Sequence, residues 1–180
     1  MDSRIVLFLV DSILGYFLQS MGAVVSIHIA SKRHIKARDL LLMSIVFGTV
    51  AYLCRCISEY LGFGLHTILM IAAFVLIAYA WLKTNIINNI FAVVSSLIVI
   101  ALYEGLNYVT LSAILGEESL KIILEGADVR NQILKSLLGC PTNIMLLITA
   151  FIVYKVVMLR ISAKELDGGK SGTVDSEQNK

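Results

Sequence analysis

The sequence predicts an all-α, polytopic membrane protein, from its composition, the length of its apolar runs and the placement of its basic residues. Of its 180 residues, 58% are hydrophobic and 16% are charged, and the mean hydropathy is +0.84. A soluble domain has about 45–50% apolar and about 25% charged residues. We therefore expect one transmembrane helical domain over residues 1–163, embedded in a lipid bilayer.

Apolar run length gives the number of spans, because a helix needs about 20 apolar residues to cross about 30 Å of hydrocarbon. Five stretches qualify, so we expect about five transmembrane helices. They lie near residues 5–30, 40–61, 65–82, 89–115 and 141–161. Pro141 suits the first turn of the last span, where its missing N–H would have no intrahelical partner in any case.

Basic residues between the first two spans predict the orientation. The loop SKRHIKARD contains Lys32, Arg33, Lys36 and Arg38, and Lys and Arg tend to remain on the cytoplasmic side. This places the N-terminus outside and the C-terminus inside, with the GFG connection at 62–64 outside. We expect a multi-pass membrane protein.

The segment 116–140 is too charged to span a bilayer, yet its apolar residues recur at helical spacing. Glutamates at 117–118 suit the start of a helix, and Gly126 and Gly139 suit helix ends. We expect two short amphipathic helices on the outer face. The alternative, which periodicity does not separate, is that 129–139 re-enters the membrane.

The last residues, 164–180, are polar, contain three glycines and lack aromatic residues. Such a composition cannot bury enough apolar surface to become ordered. We expect a disordered cytoplasmic tail.

Ionisable residues in the apolar layer are the candidate functional residues, because moving one to the bilayer centre costs about 2.5–3.5 kcal/mol. Asp11, near the outer end of the first span, is expected to be solvated. Arg55 and Glu59 share a helix face, and helix rise places Glu104 in the same outer half of the membrane. The predicted polar cluster is Arg55, Glu59, His66, Glu104 and Asn107.

Three interpretations of this cluster are open. In the first it is a structural clasp, in which Arg55 neutralises Glu104 or Glu59 and joins the second and fourth spans. In the second it is an outward-facing pocket that senses a ligand or an ion. In the third it lines a path for protons or a small solute.

Several kinds of chemistry are not indicated by the sequence. Glycine-rich phosphate loops, His-Glu-x-x-His and Gly-x-Ser-x-Gly are absent, and a lone Cys-x-Cys lacks the four-ligand pattern of a zinc site. The basic loop is too short to form a nucleic-acid interface. We expect no catalytic residues, no metal, no cofactor and no nucleic-acid partner.

Residues 40–160 resemble the N-terminal multi-span sensor region of GHKL-type sensor histidine kinases of Firmicutes. The similarity lies in an arginine in the second span, the stretch FGLHTILM before the third, LIVIALYEGLNYV with its glutamate in the fourth, and LLGCPTNIMLL at the start of the last. The matching polar positions are Arg55, His66 and Glu104. In that family the chain continues into a kinase domain, and we expect no kinase activity from residues 1–180.

The resemblance implies a non-catalytic, sensor-like or regulatory module of a bacterial cytoplasmic membrane. Its candidate partner is a histidine kinase, another membrane protein or a second copy. An alternative is the substrate-binding subunit of an energy-coupling factor importer, although the first span lacks the Ala-x-x-x-Ala pattern of that family. A membrane cysteine peptidase is not expected, because such an enzyme needs a thiol near a histidine base and the residue seven past His66 is Ala73.

Overall fold

The computed structural model describes the backbone of residues 3–61, 65–126 and 128–171, and the side chains of 6–57, 67–126 and 128–163. All regular structure in these ranges is helical, as predicted. In chain order the elements are α1 (Ser3–Val10), a π-helical segment (Asp11–Phe17), α2 (Leu18–Ala30), α3 (Ala37–Leu61), α4 (Leu65–Leu82), α5 (Ile86–Leu115), α6 (Glu117–Glu125) and α7 (Val129–Ser171).

Four stretches of helix in the described residues are long and apolar enough to cross a membrane: Val6–Ala30, Ala37–Ile57, Ile86–Leu115 and Val129–Ala163. The apolar part of α4, Thr67–Leu82, is shorter. The prediction of an all-α polytopic membrane protein is thereby confirmed. The number of crossings and their orientation stay predictions.

The fourth predicted span begins earlier than expected because it has a cap. Asn85 precedes α5, and its side-chain oxygen accepts a hydrogen bond from the backbone N–H of Ile87 at 2.9 Å. A capping side chain of this kind satisfies one of the backbone donors that a helix start leaves free. The helix therefore starts at Ile86 and not at Asn89.

The predicted division of segment 116–140 is half correct. Helix α6 starts with its two glutamates and ends at Gly126, as expected. The second predicted helix is not separate, because α7 continues from Val129 through Gly139 and Pro141 into the last span. It also continues to Ser171, so helix replaces the first part of the tail predicted to be disordered. Residues 172–180 of that tail, and the GFG connection, lie outside the described residues.

Pro141 lies inside α7 and not in its first turn, and a neighbouring helix donates a hydrogen bond to the backbone close to this position. Proline lacks the N–H that would bond to the carbonyl of Leu137. The Nδ2 of Asn107, on α5, donates to the adjacent carbonyl of Leu138 at 2.7 Å. Because water is absent from the bilayer core, a partner helix must supply such donors.

Helix α2 lies at the centre of the bundle and packs on α3, α5 and α7, while α4 packs on α3 and α5. We call the end of the bundle that holds the loop 31–36 the basic end. The Tyr154 hydroxyl of α7 accepts a hydrogen bond there from the N–H of Ile35 at 2.9 Å. The opposite end, where the π-helical segment meets α3 and α7, we call the distal end.

The contact between α2 and α7 is close because Gly22 has no side chain. A Cβ built on Gly22 would lie 2.7 Å from Cδ2 and 2.9 Å from Cγ of Leu146, which is 2% exposed and has little room to move. By contrast, a Cβ on Gly48, where α3 passes the π-helical segment, would lie 3.6 Å or more from its neighbours, an ordinary contact.

We predict that Gly22→Ala destabilises the protein by about 1–3 kcal/mol, the usual cost of overpacking. Gly48→Ala, the matched control, should change the unfolding free energy by less than about 1 kcal/mol, because it adds the same methyl group without a clash. Reversible unfolding of both variants in the same detergent measures the difference. Equal stabilities of the two variants would contradict the close α2–α7 contact.

Candidate functional site

The π-helical segment in the first span is a local departure from α-helix in the part of the chain that faces the distal end. A π-helix pairs backbone groups five residues apart, and such segments are often found at functional sites. Asn143 of α7 donates its Nδ2 hydrogen to the carbonyl of Leu14 at 2.8 Å. The irregular backbone is therefore held by a side chain of the neighbouring helix.

Asp11, the first residue of this segment, is not merely solvated as the sequence analysis expected. Its Oδ1 accepts a hydrogen bond from the hydroxyl of Ser136 at 3.0 Å, and its side chain is half-buried. Ser136 belongs to the stretch of α7 that was predicted to be a separate outer helix. The continuity of α7 thus brings a polar group of the last span to the carboxylate of the first span.

Arg55 of α3 lies beside the same segment. Its Nη1 donates to the hydroxyl of Tyr16 at 3.0 Å, and its guanidinium carbon lies 6.0 Å from the centre of the Tyr16 ring. The Tyr52 ring packs edge-on against Tyr16 at 5.9 Å and against Phe8 at 5.7 Å. Edge-to-face aromatic pairs of this kind hold their rings in a defined arrangement.

These groups line a cavity of about 310 Å³, which we call the distal cavity. It combines a carboxylate, a guanidinium, two phenols and an amide with apolar side chains. Ligand sites in proteins commonly have such a composition, with a few placed polar groups on an aromatic and aliphatic wall. The lining residues are Leu7, Phe8, Asp11, Ser12, Tyr16, Tyr52, Arg55, Cys56 and Gln132.

The structure brings only part of the predicted polar cluster to this cavity. Arg55 lines it, whereas Asn107 is engaged with α7 at Leu138. Glu104 lies on the exposed face of α5. The backbones of Glu59 and His66 lie in α3 and α4, and their side chains lie outside the described residues.

Arg55 therefore joins α3 to the first span, and not to the fourth span as the Glu104 form of the clasp required. Helices α3 and α5 are not among the pairs that pack extensively, since α4 packs against both of them. The sequence predicts Arg55 and Glu104 at the same depth. In the structure, the helices that carry them are not close neighbours. The polar lining residues that were not in the predicted cluster are Asp11, Ser12, Tyr16, Tyr52 and Gln132.

A second set of bonds fastens α5 to α7. The hydroxyls of Tyr103 and Thr149 are 2.6 Å apart, in addition to the contact of Asn107 with Leu138.

Among the described residues, no group of three His, Cys, Asp or Glu side chains could hold a metal ion.

Comparisons of the chain with protein-family models, with curated proteins and with solved structures find no match.

Asp11 and Glu104 differ in their surroundings, and we predict that they differ in their effect on stability. Asp11→Ala should lower the unfolding free energy by about 1.5–3 kcal/mol, the usual contribution of a hydrogen bond to a charged group. Glu104→Ala, the matched control, should change it by less than about 0.5 kcal/mol, as is usual for exposed positions.

The measurement is thermal or denaturant-induced unfolding of both variants in one detergent. A larger loss for Glu104→Ala than for Asp11→Ala would show that Glu104, and not Asp11, is the carboxylate engaged in the bundle.

Proposed function

We propose that the protein is a non-catalytic membrane sensor or regulatory module that binds a small zwitterionic ligand in the distal cavity. The carboxylate of Asp11 suits a ligand ammonium group, and the guanidinium of Arg55 suits a ligand carboxylate, with which it can form paired hydrogen bonds. The rings of Phe8 and Tyr52 supply an apolar wall for the remainder of the ligand. The observation that carries the proposal is this juxtaposition of opposite charges in one cavity.

Helix α7 is the element that would transmit occupancy of the cavity. Its residue Gln132 lines the cavity, Ser136 bonds to Asp11, and Tyr154 holds the basic loop at the other end. All three lie on one continuous helix. A ligand that binds one arrangement of the π-helical segment more tightly than another would therefore shift α7 as well.

The basic loop supports an orientation with the distal end outside, because Lys and Arg favour the cytoplasmic side. In this arrangement an external ligand reaches the cavity, and α7 carries the response inward. The resemblance of Arg55, His66 and Glu104 to positions in sensor kinases makes a histidine kinase the proposed partner, in the cytoplasmic membrane of a bacterium.

We predict that thermal-shift screening with the free amino acids and a set of dipeptides identifies a compound that raises the melting temperature by about 2 °C or more. Arg55→Gln should abolish this shift, because it removes the guanidinium. Glu104→Gln, the control, should retain it. A shift that persists in Arg55→Gln, or no shift with any compound, would contradict binding in the distal cavity.

Purification of the tagged chain from its native membrane in mild detergent tests the partner. A co-purifying histidine kinase is expected. An ATPase with a coupling subunit would replace the proposal by the importer alternative.

A further inference from the structure

A second cavity of about 270 Å³ lies nearer the basic end, between α2, α5 and α7, and we call it the lateral cleft. Small residues form much of its wall, among them Ser26, Ala30, Ser95 and Ala150. It shares no lining residue with the distal cavity. A molecule bound in the lateral cleft would therefore be distinct from the ligand proposed for the distal cavity.

The hydroxyl groups of the cleft are mostly engaged within the protein. Ser26 donates to the carbonyl of Gly22 at 3.0 Å, and Ser96 donates to that of Ala92 at 2.8 Å. Thr149 pairs with Tyr103. With these groups bonded to their own helices or to a neighbour, the surface that remains is largely apolar. It suits a hydrocarbon chain better than a polar molecule.

The cleft opens on a surface of the bundle that would contact lipid. Phe91 at its edge is 68% exposed and Val153 is 43% exposed, and Ser95 is also exposed. Along α5 the cleft extends from Phe91 to Val99, about 12 Å at the rise of an α-helix. A lipid acyl chain that lies alongside the helices has this direction and this chemistry.

Cations surround the end of the bundle next to the cleft. Ala30, a lining residue, is the last residue of α2, and Lys32 and Arg33 follow it by two and three residues, with exposed side chains. Asp39 is the acidic residue among the described side chains near this end, so basic residues outnumber acidic ones there. The exposed basic residues near this end are Lys32, Arg33, Lys36, Arg38, Lys83, Lys155 and Arg160.

We propose that the lateral cleft binds one acyl chain of an anionic phospholipid, whose phosphate is held by Lys32 and Arg33. An apolar cleft that ends beside cations matches the two parts of such a lipid, and basic sites between transmembrane helices are known to select anionic headgroups. The bound lipid would contact α2, α5 and α7 together. It would therefore support the contact between α2 and α7 that Gly22 makes possible.

Native mass spectrometry of the full chain in detergent, titrated with phosphatidylglycerol or phosphatidylcholine, tests this proposal. The wild-type protein should bind phosphatidylglycerol more tightly. Ser95→Leu should weaken that binding at least about fivefold by filling the cleft. Lys32→Gln with Arg33→Gln should weaken it about tenfold or more, since each cation near an anionic lipid contributes appreciably.

Two controls separate the site from general effects. Val94→Leu adds bulk at an exposed α5 position outside the cleft lining, and Lys155→Gln with Arg160→Gln removes two positive charges at the same end. Both should bind within about twofold of the wild type. Equal affinity for the two lipids, a loss in the second control as large as that in Lys32→Gln with Arg33→Gln, or unchanged binding by Ser95→Leu would overturn the proposal.

Discussion

The rest of the structure depends on the close packing of α2 against α7 at Gly22. Since α2 is central, its distance from α7 determines whether the polar groups of the last span reach the first span. In a bilayer the hydrophobic effect does not drive helices together, so small residues that permit close contact become important. Ser136 with Asp11, and Asn143 with Leu14, are bonds that this proximity permits.

The two irregular regions of the bundle, the π-helical segment and the helix around Pro141, have a common feature. At each one, an asparagine of a neighbouring helix donates to a backbone carbonyl, Asn143 to Leu14 and Asn107 to Leu138. An unpaired carbonyl is costly in hydrocarbon, so such departures from regular helix persist only where a partner helix is packed against them. The distal cavity lies beside one of these places, the π-helical segment.

Composition and apolar run length were sufficient to predict the all-α membrane fold. That Arg55 and Glu104 lie in one layer of the membrane, which follows from counting the helix rise, stays a prediction. Hydropathy reports depth but not which helices are neighbours, so it did not show that Arg55 meets Tyr16 while Glu104 lies on an exposed face. Pro141 and Gly139 indicated a boundary that is absent, because the packing of α5 stabilises a continuous α7. Because a separate outer helix was predicted for this stretch, the bond between Ser136 and Asp11 was not expected.

Proximity of the first span to α7 at the distal end is the claim on which the site and its proposed function both rest. Its most direct test uses a short thiol-reactive cross-linker on membranes that contain the chain with its three native cysteines replaced by alanine. Asp11→Cys with Ser136→Cys should cross-link rapidly, whereas Arg55→Cys with Glu104→Cys should not. Efficient cross-linking of the second pair and none of the first would contradict this arrangement and restore the clasp between the second and fourth spans.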